Sequence, residues 1–496
     1  MARKSKRKAA RSNQGQRRRR TRIKFTNADQ FRELQNWLLP NDGIFANFKR
    51  HGNTSWLPCS LVWLALCWSW SGSKNVTDCF THAVECCQLI AGESALSTYQ
   101  GFMGALVRAT DSILSVLWPV LHLRMQEIAG NLWRIGGWAP IAFDGSRSTA
   151  PRSESNEKAL CAPNYGRGKT AKYRKKKSKG MRRKNNEKNK SQPQEPQAWI
   201  TMLWHMSLRL PWKWKLGPSN SSERAHVIEM IGEGGFPKNT LFCGDAGFVG
   251  FPLWAMIMGA DMYFLVRVGA NVKLLTESTD YRVVIRKGLV LCWPLAAQKD
   301  GLPPLRLRLV KVRIGAQRMW MLTNVLDRSL LSSKQIVNFY KMRWGIEVEF
   351  RGLKQTLDNS KLRCRNSERV MAELNWSIMA MAIAELFALK EQLARSPSEP
   401  RVKKLPRDPK KRSLANTVRA IRHSLTHLKD VPELNEDLRS QLRRAVTDSY
   451  VRKSSKRARY RPPNPDKKPL GDPTVRKLTA KEKKKLKALT PIKSAA

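Results

Sequence analysis

The chain has 496 residues, enough for several domains and a large buried core. With 41% hydrophobic residues and 17 Trp it is no disordered basic tail protein. Its 92 Lys and Arg against 39 Asp and Glu leave a formal charge of +53, which repels itself and calls for a polyanion, nucleic acid before an anionic membrane surface.

Met1 to Lys24 carries twelve basic residues, no acid and no apolar run of the signal-peptide kind. Residues 1–25 are therefore expected to be a disordered basic arm that touches nucleic acid nonspecifically. The nine cysteines are odd in number and form no paired CxxC motif. They predict buried free thiols in a reducing cytoplasm rather than a zinc site or a disulfide framework.

Residues 26–138 read as a helical domain. Phe31, Leu34, Trp37 and Leu38 recur at helical spacing, Thr26 or Asn27 can cap that helix, and Pro40 ends it. Further helices are expected around 61–70, 76–91 and 98–118. The apolar stretches 60–70 and 378–389 are too short, or interrupted by Glu385, to span a bilayer, so no membrane partner is expected.

The pattern changes at Ala139. Residues 140–143 look like a short buried strand ending at Asp144. A basic insert follows over 162–197, with thirteen Lys or Arg between Tyr165 and Lys190, and is expected to loop out as a flexible excursion. Strands are then predicted at 199–210, 212–216, 240–244 and 262–268. A helix capped by Ser221 or Ser222 runs to about Ile231, and another covers 251–259. Residues 270–325 form a β-rich insertion with strands at 282–293, 305–314 and 318–324. Ser332, with Gln335 as a capping box, opens a long helix, and a second covers 372–389. Residues 391–496 are expected to be a basic C-terminal region, helical near 414–428 and disordered from Tyr450.

Asp144 and Asp245 each end a predicted apolar strand, within Asp144-Gly-Ser and Asp245-Ala-Gly-Phe248. Taken singly, each reads first as a plain turn. Carboxylates at neighbouring strand ends can also hold a hard cation such as Mg²⁺. A third acid lies in Tyr340-Lys-Met-Arg343-Trp-Gly-Ile-Glu347. At ~100° per residue, with Tyr340 at zero, Arg343, Glu347 and Lys354 fall at about 300°, 340° and 320°, one narrow polar stripe. Phe339, Met342, Ile346, Phe350 and Leu353 form the adjacent apolar stripe. Glu349, at ~180°, lies away from the polar one, so Glu347 is the better candidate.

The spacing Tyr340, Arg343, Glu347, Lys354, with the two Asp motifs ahead of it, resembles the Y-R-E-K signature of the insertion-sequence-four family of DDE transposases. The resemblance covers about 139–390. It implies an α/β fold: a ribonuclease H-like mixed-sheet catalytic core with a β-rich insertion. The helical domain ahead of it reads equally as a DNA-end-binding domain or as a purely structural bundle, and basic tails flank the whole. The resemblance also implies that Asp144, Asp245 and Glu347 are the catalytic acids and the ligands of Mg²⁺, for which Mn²⁺ can substitute. Tyr340, Arg343 and Lys354 would contact transposon-end phosphates, and Trp293 or Trp320 would stack on a flipped base. The implied reaction is cut-and-paste transposition by two-metal phosphoryl transfer. Hydrolysis at the element's end leaves a 3′-OH, which attacks the opposite strand to form a hairpin and finally the target. The implied partners are double-stranded DNA, as terminal inverted repeats and target, and a second copy of the chain in a synaptic complex at the nucleoid. A nuclease without strand transfer, a transposase descendant that binds DNA without cutting it, and a generic packaging protein are the alternatives.

Overall fold

The computed structural model describes residues 25–161, 195–277, 288–394 and 408–489, apart from short gaps at 41, 50–53, 93–95, 316, 434–435 and 448–469. The basic arm and nearly all of the basic insert lie outside the described residues. Ten strands form one mixed sheet in the order β10-β6-β7-β8-β9-β5-β4-β1-β2-β3. Strands β1 (Ala139–Thr149), β2 (Gln197–His205), β3 (Leu210–Pro218), β4 (Thr240–Gly244) and β5 (Tyr263–Val268) make up one half. Within it β1 runs parallel to β4 and β4 to β5, while β2 is antiparallel to both β1 and β3. Strands β6 (Lys273–Thr276), β7 (Leu289–Cys292), β8 (Leu305–Ile314) and β9 (Gln317–Thr323) extend the sheet through antiparallel pairing of β9 with β5. The β-rich segment thus continues the same sheet.

Strand β1 does not stop at Asp144. It runs on to Thr149 because β2 pairs with it throughout, so Asp144 lies opposite Met202 in mid-strand. The turn expected after Asp144 is absent. What ends there is the pairing with β4, which stops at Ala142 opposite Cys243. Strand β10 (Thr474–Lys477), in a region expected to be disordered, pairs in parallel with β6 and closes the far edge.

The first four helices are α1 (Asn27–Leu38), α2 (Pro58–Trp70), α3 (Val76–Ala91) and α4 (Tyr99–Ala129). Thr26 caps α1 in a capping box with Asp29. Helix α4 continues past Trp118, its expected end, through the exposed Pro119. The prolyl residue cannot bond the Ser115 carbonyl, but Ser115 and Pro119 are both exposed, and buried Leu117 and Leu121 hold the helix on either side. These helices share one apolar core with the sheet.

After α5 (Glu154–Leu160), α6 (Glu223–Gly232), α7 (Phe251–Gly259), α8 (Leu295–Lys299), α9 (Ser333–Arg343) and α10 (Gly345–Gln355) comes α11 (Ser367–Leu393), the helix at the centre of the core. Trp70 Nε1 donates to the Ala380 carbonyl at 3.0 Å and Trp376 Nε1 to Thr110 Oγ1 at 2.9 Å, tying α11 to α2 and α4. Helices α4 and α11 are long and apolar enough to cross a membrane by length and composition, but 89% of the apolar window of α11 is buried inside the protein. Its buried acids are answered individually: Glu373 by Arg363, Glu385 by Arg412, and Glu391 by Arg439 and Arg443. Arg412, just ahead of α12 (Leu414–Thr426), also donates to the carbonyls of Leu208 and Arg209 and so fastens the C-terminal region to the β2–β3 turn. Helices α13 (Leu438–Arg444) and α14 (Ala480–Ala488) complete the described chain. All nine cysteines are free and all but Cys59 are buried.

Candidate active site

The site forms where β1 and β4 part. Apolar side chains deliver both aspartates there. Gly244 ends β4 with no room for a side chain, since a Cβ would come within 2.2 Å of the Phe143 ring. Beyond it Asp245 turns the chain, its Oδ1 accepting from the Gly247 N–H at 2.7 Å. Phe248, buried, packs on Phe143 at 4.4 Å between ring centroids and anchors that turn. The Asp-Ala-Gly-Phe segment thus has a local reason: Gly247 supplies the bonded N–H and Phe248 supplies the anchor.

Glu347 arrives on a broken helix. Ser332 and Gln335 form the expected capping box, but the single long helix divides at Trp344 into α9 and α10. Gly345 explains how the second piece seats. A Cβ there would lie 2.1 Å from the buried Trp204 ring of β2, so only glycine lets α10 start against the sheet. The stripe drawn on one continuous helix therefore bends, yet Arg343 and Glu347 still meet. Arg343 Nη2 is 3.3 Å from Glu347 Oε1, and its Nη1 is 3.4 Å from Asp144 Oδ2. The guanidinium is 8% exposed and its Nε has no partner among the described residues. It also stands over the Tyr340 ring at 5.6 Å. Glu349 points into the core instead, against Glu385 with Arg412 and Arg209 nearby.

Burial is the largest influence on Asp144 and pushes its carboxyl up to about 6. The Gly145 N–H and Arg343 oppose that rise, while Asp245 and Glu347 add to it through their negative charge. A fourth acid shares this field. Glu223, first residue of α6, is raised to about 7, by burial first and then by Asp144 and Asp245, against Arg147 and Arg224. Nothing in the sequence singled it out except a helix-capping Ser222 that places the next residue at the helix N-terminus.

Thus Asp144, Asp245, Glu347, Arg343 and Tyr340 come together. Lys354 lies two turns further along α10, its ammonium held below its usual range by burial. Trp293 and Trp320 are 3% and 5% exposed. Trp293 Nε1 donates to the Leu302 carbonyl, and Trp320 Nε1 to Asp472 beside β10, each at 2.8 Å. In this structure neither presents a face to a base. The exposed tryptophan beside the acids is Trp344. Clustered oxygen donors with excess negative charge suit a hard divalent cation. Among the described residues, however, no three His, Cys, Asp or Glu side chains are closed around one metal position. Arg343 draws two of the carboxylates to itself.

Residues 141–383 match the family described as Transposase DDE domain. This segment is a transposase DDE domain. It begins in β1, three residues before Asp144, and ends in α11, taking in all three expected acids. No curated protein matches the chain. Among solved structures it is similar to the piggyBac transposase synaptic complex with hairpin DNA, seen by cryo-EM. That comparison has a TM-score of 0.36 and 11% identity over 88% of each chain.

Proposed function

We propose that the chain is a DNA transposase of the insertion-sequence-four kind that cuts at element ends and joins them to target DNA. What carries this reading is the convergence of Asp144, Asp245 and Glu347 inside the DDE domain. The strand order β3-β2-β1-β4-β5, with β2 alone antiparallel, supports a ribonuclease H-like core. Asp144, Asp245 and Glu347 would hold Mg²⁺, whose bound form supplies Lewis-acid stabilisation of a phosphodiester under attack.

The protein's own groups account for the rest. Asp144 within β1 and Asp245 just past the end of the adjacent β4 are held by one sheet and the turn bonded to Gly247. Glu347, 37% exposed at its side chain, is reached by Arg343 from the helix before it. Arg343 screens the carboxylates from each other and is placed to meet an incoming phosphate, for which a guanidinium fork is suited. Tyr340, whose ring lies under Arg343, and Lys354 would add further phosphate contacts.

The test uses Asp144→Asn, Asp245→Asn and Glu347→Gln with DNA carrying the element's own ends. Each variant should lose cleavage by at least a thousandfold while still binding end DNA. Wild-type protein should join a pre-cleaved 3′ end to target DNA. Cleavage persisting in all three variants refutes the assignment of the acids. Cleavage without joining leaves a nuclease.

A further inference from the structure

We propose that Arg209, in the turn between β2 and β3, is a positioning residue for Glu347: its guanidinium, laid on the Trp204 ring, is part of the seat on which α10 starts. The inference rests on the reading of Glu347 as a catalytic acid given above.

Arg209 holds a backbone conformation that does not suit it. Its φ is +56°, in the left-handed region that glycine enters freely and arginine does not. Hydrogen bonds from two sides fix it there. Its own N–H donates to the His205 carbonyl at 2.8 Å. Arg412, 1% exposed at its side chain, donates through Nη1 to the Leu208 carbonyl at 3.0 Å and through Nη2 to the Arg209 carbonyl. Glycine or asparagine would make this turn with less strain, so turn formation alone does not account for an arginine. Strain of this kind marks residues whose side chains are held for function.

The strained backbone delivers the guanidinium to the start of α10. It stands over the Trp204 ring, 5.3 Å from the centroid. The same ring closes off Gly345, the first residue of α10: a Cβ there would lie 2.1 Å from Trp204 Cη2 and 3.1 Å from Arg209 Nη1. Trp204 and Arg209 thus form one surface, and the helix rests on it two residues ahead of Glu347. Charge keeps the guanidinium there. Buried Glu349, two residues past Glu347, and buried Glu385 of α11 attract it, against repulsion from Arg412. Arg412 is itself tied to Glu385, Nε to Oε1 at 3.5 Å. Contacts on both sides of Glu347 along α10 therefore involve Arg209. The competing explanation is an arginine that only covers a buried tryptophan and balances buried acids. Its loss would then cost stability and nothing else.

The experiment measures single-turnover cleavage of end DNA by the full-length protein at saturating Mg²⁺, with end binding by fluorescence anisotropy and the folded fraction by circular dichroism. Arg209→Lys keeps the charge but not the planar fork that lies on Trp204. Arg209→Gly relieves the backbone and removes the side chain. Both should bind end DNA as the wild type does, yet cleave roughly tenfold to a hundredfold more slowly per folded molecule, as expected when a reacting group is displaced by about 1 Å. Gly345→Ala, which lifts α10 off the same surface, should be slow as well, and adding Arg209→Lys to it should slow it little further. A rate loss in both Arg209 variants no larger than their loss of folded protein, or fully additive losses in the double variant, overturns the proposal, provided Glu347→Gln is inactive. If Glu347→Gln cleaves like the wild type, it is the reading of that acid that fails.

Discussion

His122 and His205 show how strongly single residues feel this core. His122 Nε2 donates to the Trp212 carbonyl at 2.8 Å, and its ring stacks on Trp212 at 3.6 Å. His205 is fully buried with Nε2 unpartnered among the described residues. Burial holds them to about 4 and about 3 respectively, well below an ordinary imidazole. The unfolded chain takes up protons near pH 6.5 while the folded one does not. Stability is therefore complete above that pH and is lost as pH falls toward 4, by roughly 2 kcal/mol per histidine at pH 5. Asp144 and Glu223, raised by burial, shift stability the opposite way, so the comparison must be made with a variant. His122→Gln keeps the donor to Trp212 and removes one titration. Its urea midpoint should change less between pH 7 and pH 5 than that of the wild type, and an equal change would show that His122 is not responsible. The same dependence on surroundings sets how much of the site could be read in advance. Asp144, Asp245 and Glu347 were visible because strand ends, glycines and helical spacing surround them. Glu223 was not, because its carboxylate lies in a clearance over Gly145 that no local pattern records.

At the scale of elements, apolar runs with sharp boundaries were the readable ones: β4 and α7 match their expected limits, and β8 matches as well. Elements decided by a distant partner were not. The second half of β1 is Gly-Ser-Arg-Ser-Thr, polar and without strand character, and it is extended because β2 pairs with it from beyond the basic insert. Strand β10 has four residues, mostly polar, and exists through its pairing with β6 and the Trp320 bond to Asp472. The seating of α10 at Gly345 depends on Trp204, a residue far off in the chain. Helix α4 erred the other way, since a proline that ordinarily stops a helix is carried through by flanking apolar contacts. Because Pro119 is exposed, Pro119→Ala should restore the bond to Ser115 without creating a cavity. Stability should rise by about 1–3 kcal/mol in urea denaturation. A fall would mean that a bend at Pro119 is needed to seat Leu121 and Met125 in the core.

Across the whole molecule, charge is distributed unevenly between inside and outside. Many acids are spent internally. Glu373, Glu385 and Glu391 answer arginines around α11, Glu482 pairs with Arg476 at the sheet edge, and Asp144 and Glu347 share Arg343. Because 39 Asp and Glu cannot match 92 Lys and Arg one for one, the net +53 is left to face solvent or a polyanion. Binding that neutralises phosphates releases condensed counterions, so it must weaken with added salt in proportion to the phosphates contacted. If the full-length protein covers six to ten phosphates of a DNA end, its affinity should fall roughly a thousandfold to a hundred-thousandfold between 50 and 200 mM salt. The slope should be nearly the same for end DNA and for unrelated duplex, because phosphate contacts carry no sequence information. The offset between the two lines is then the part owed to recognition of ends. Fluorescence anisotropy across that salt range measures both quantities. A loss of less than tenfold would show that the excess charge is not engaged with phosphate, and equal affinity for both duplexes would remove the grounds for recognition of ends.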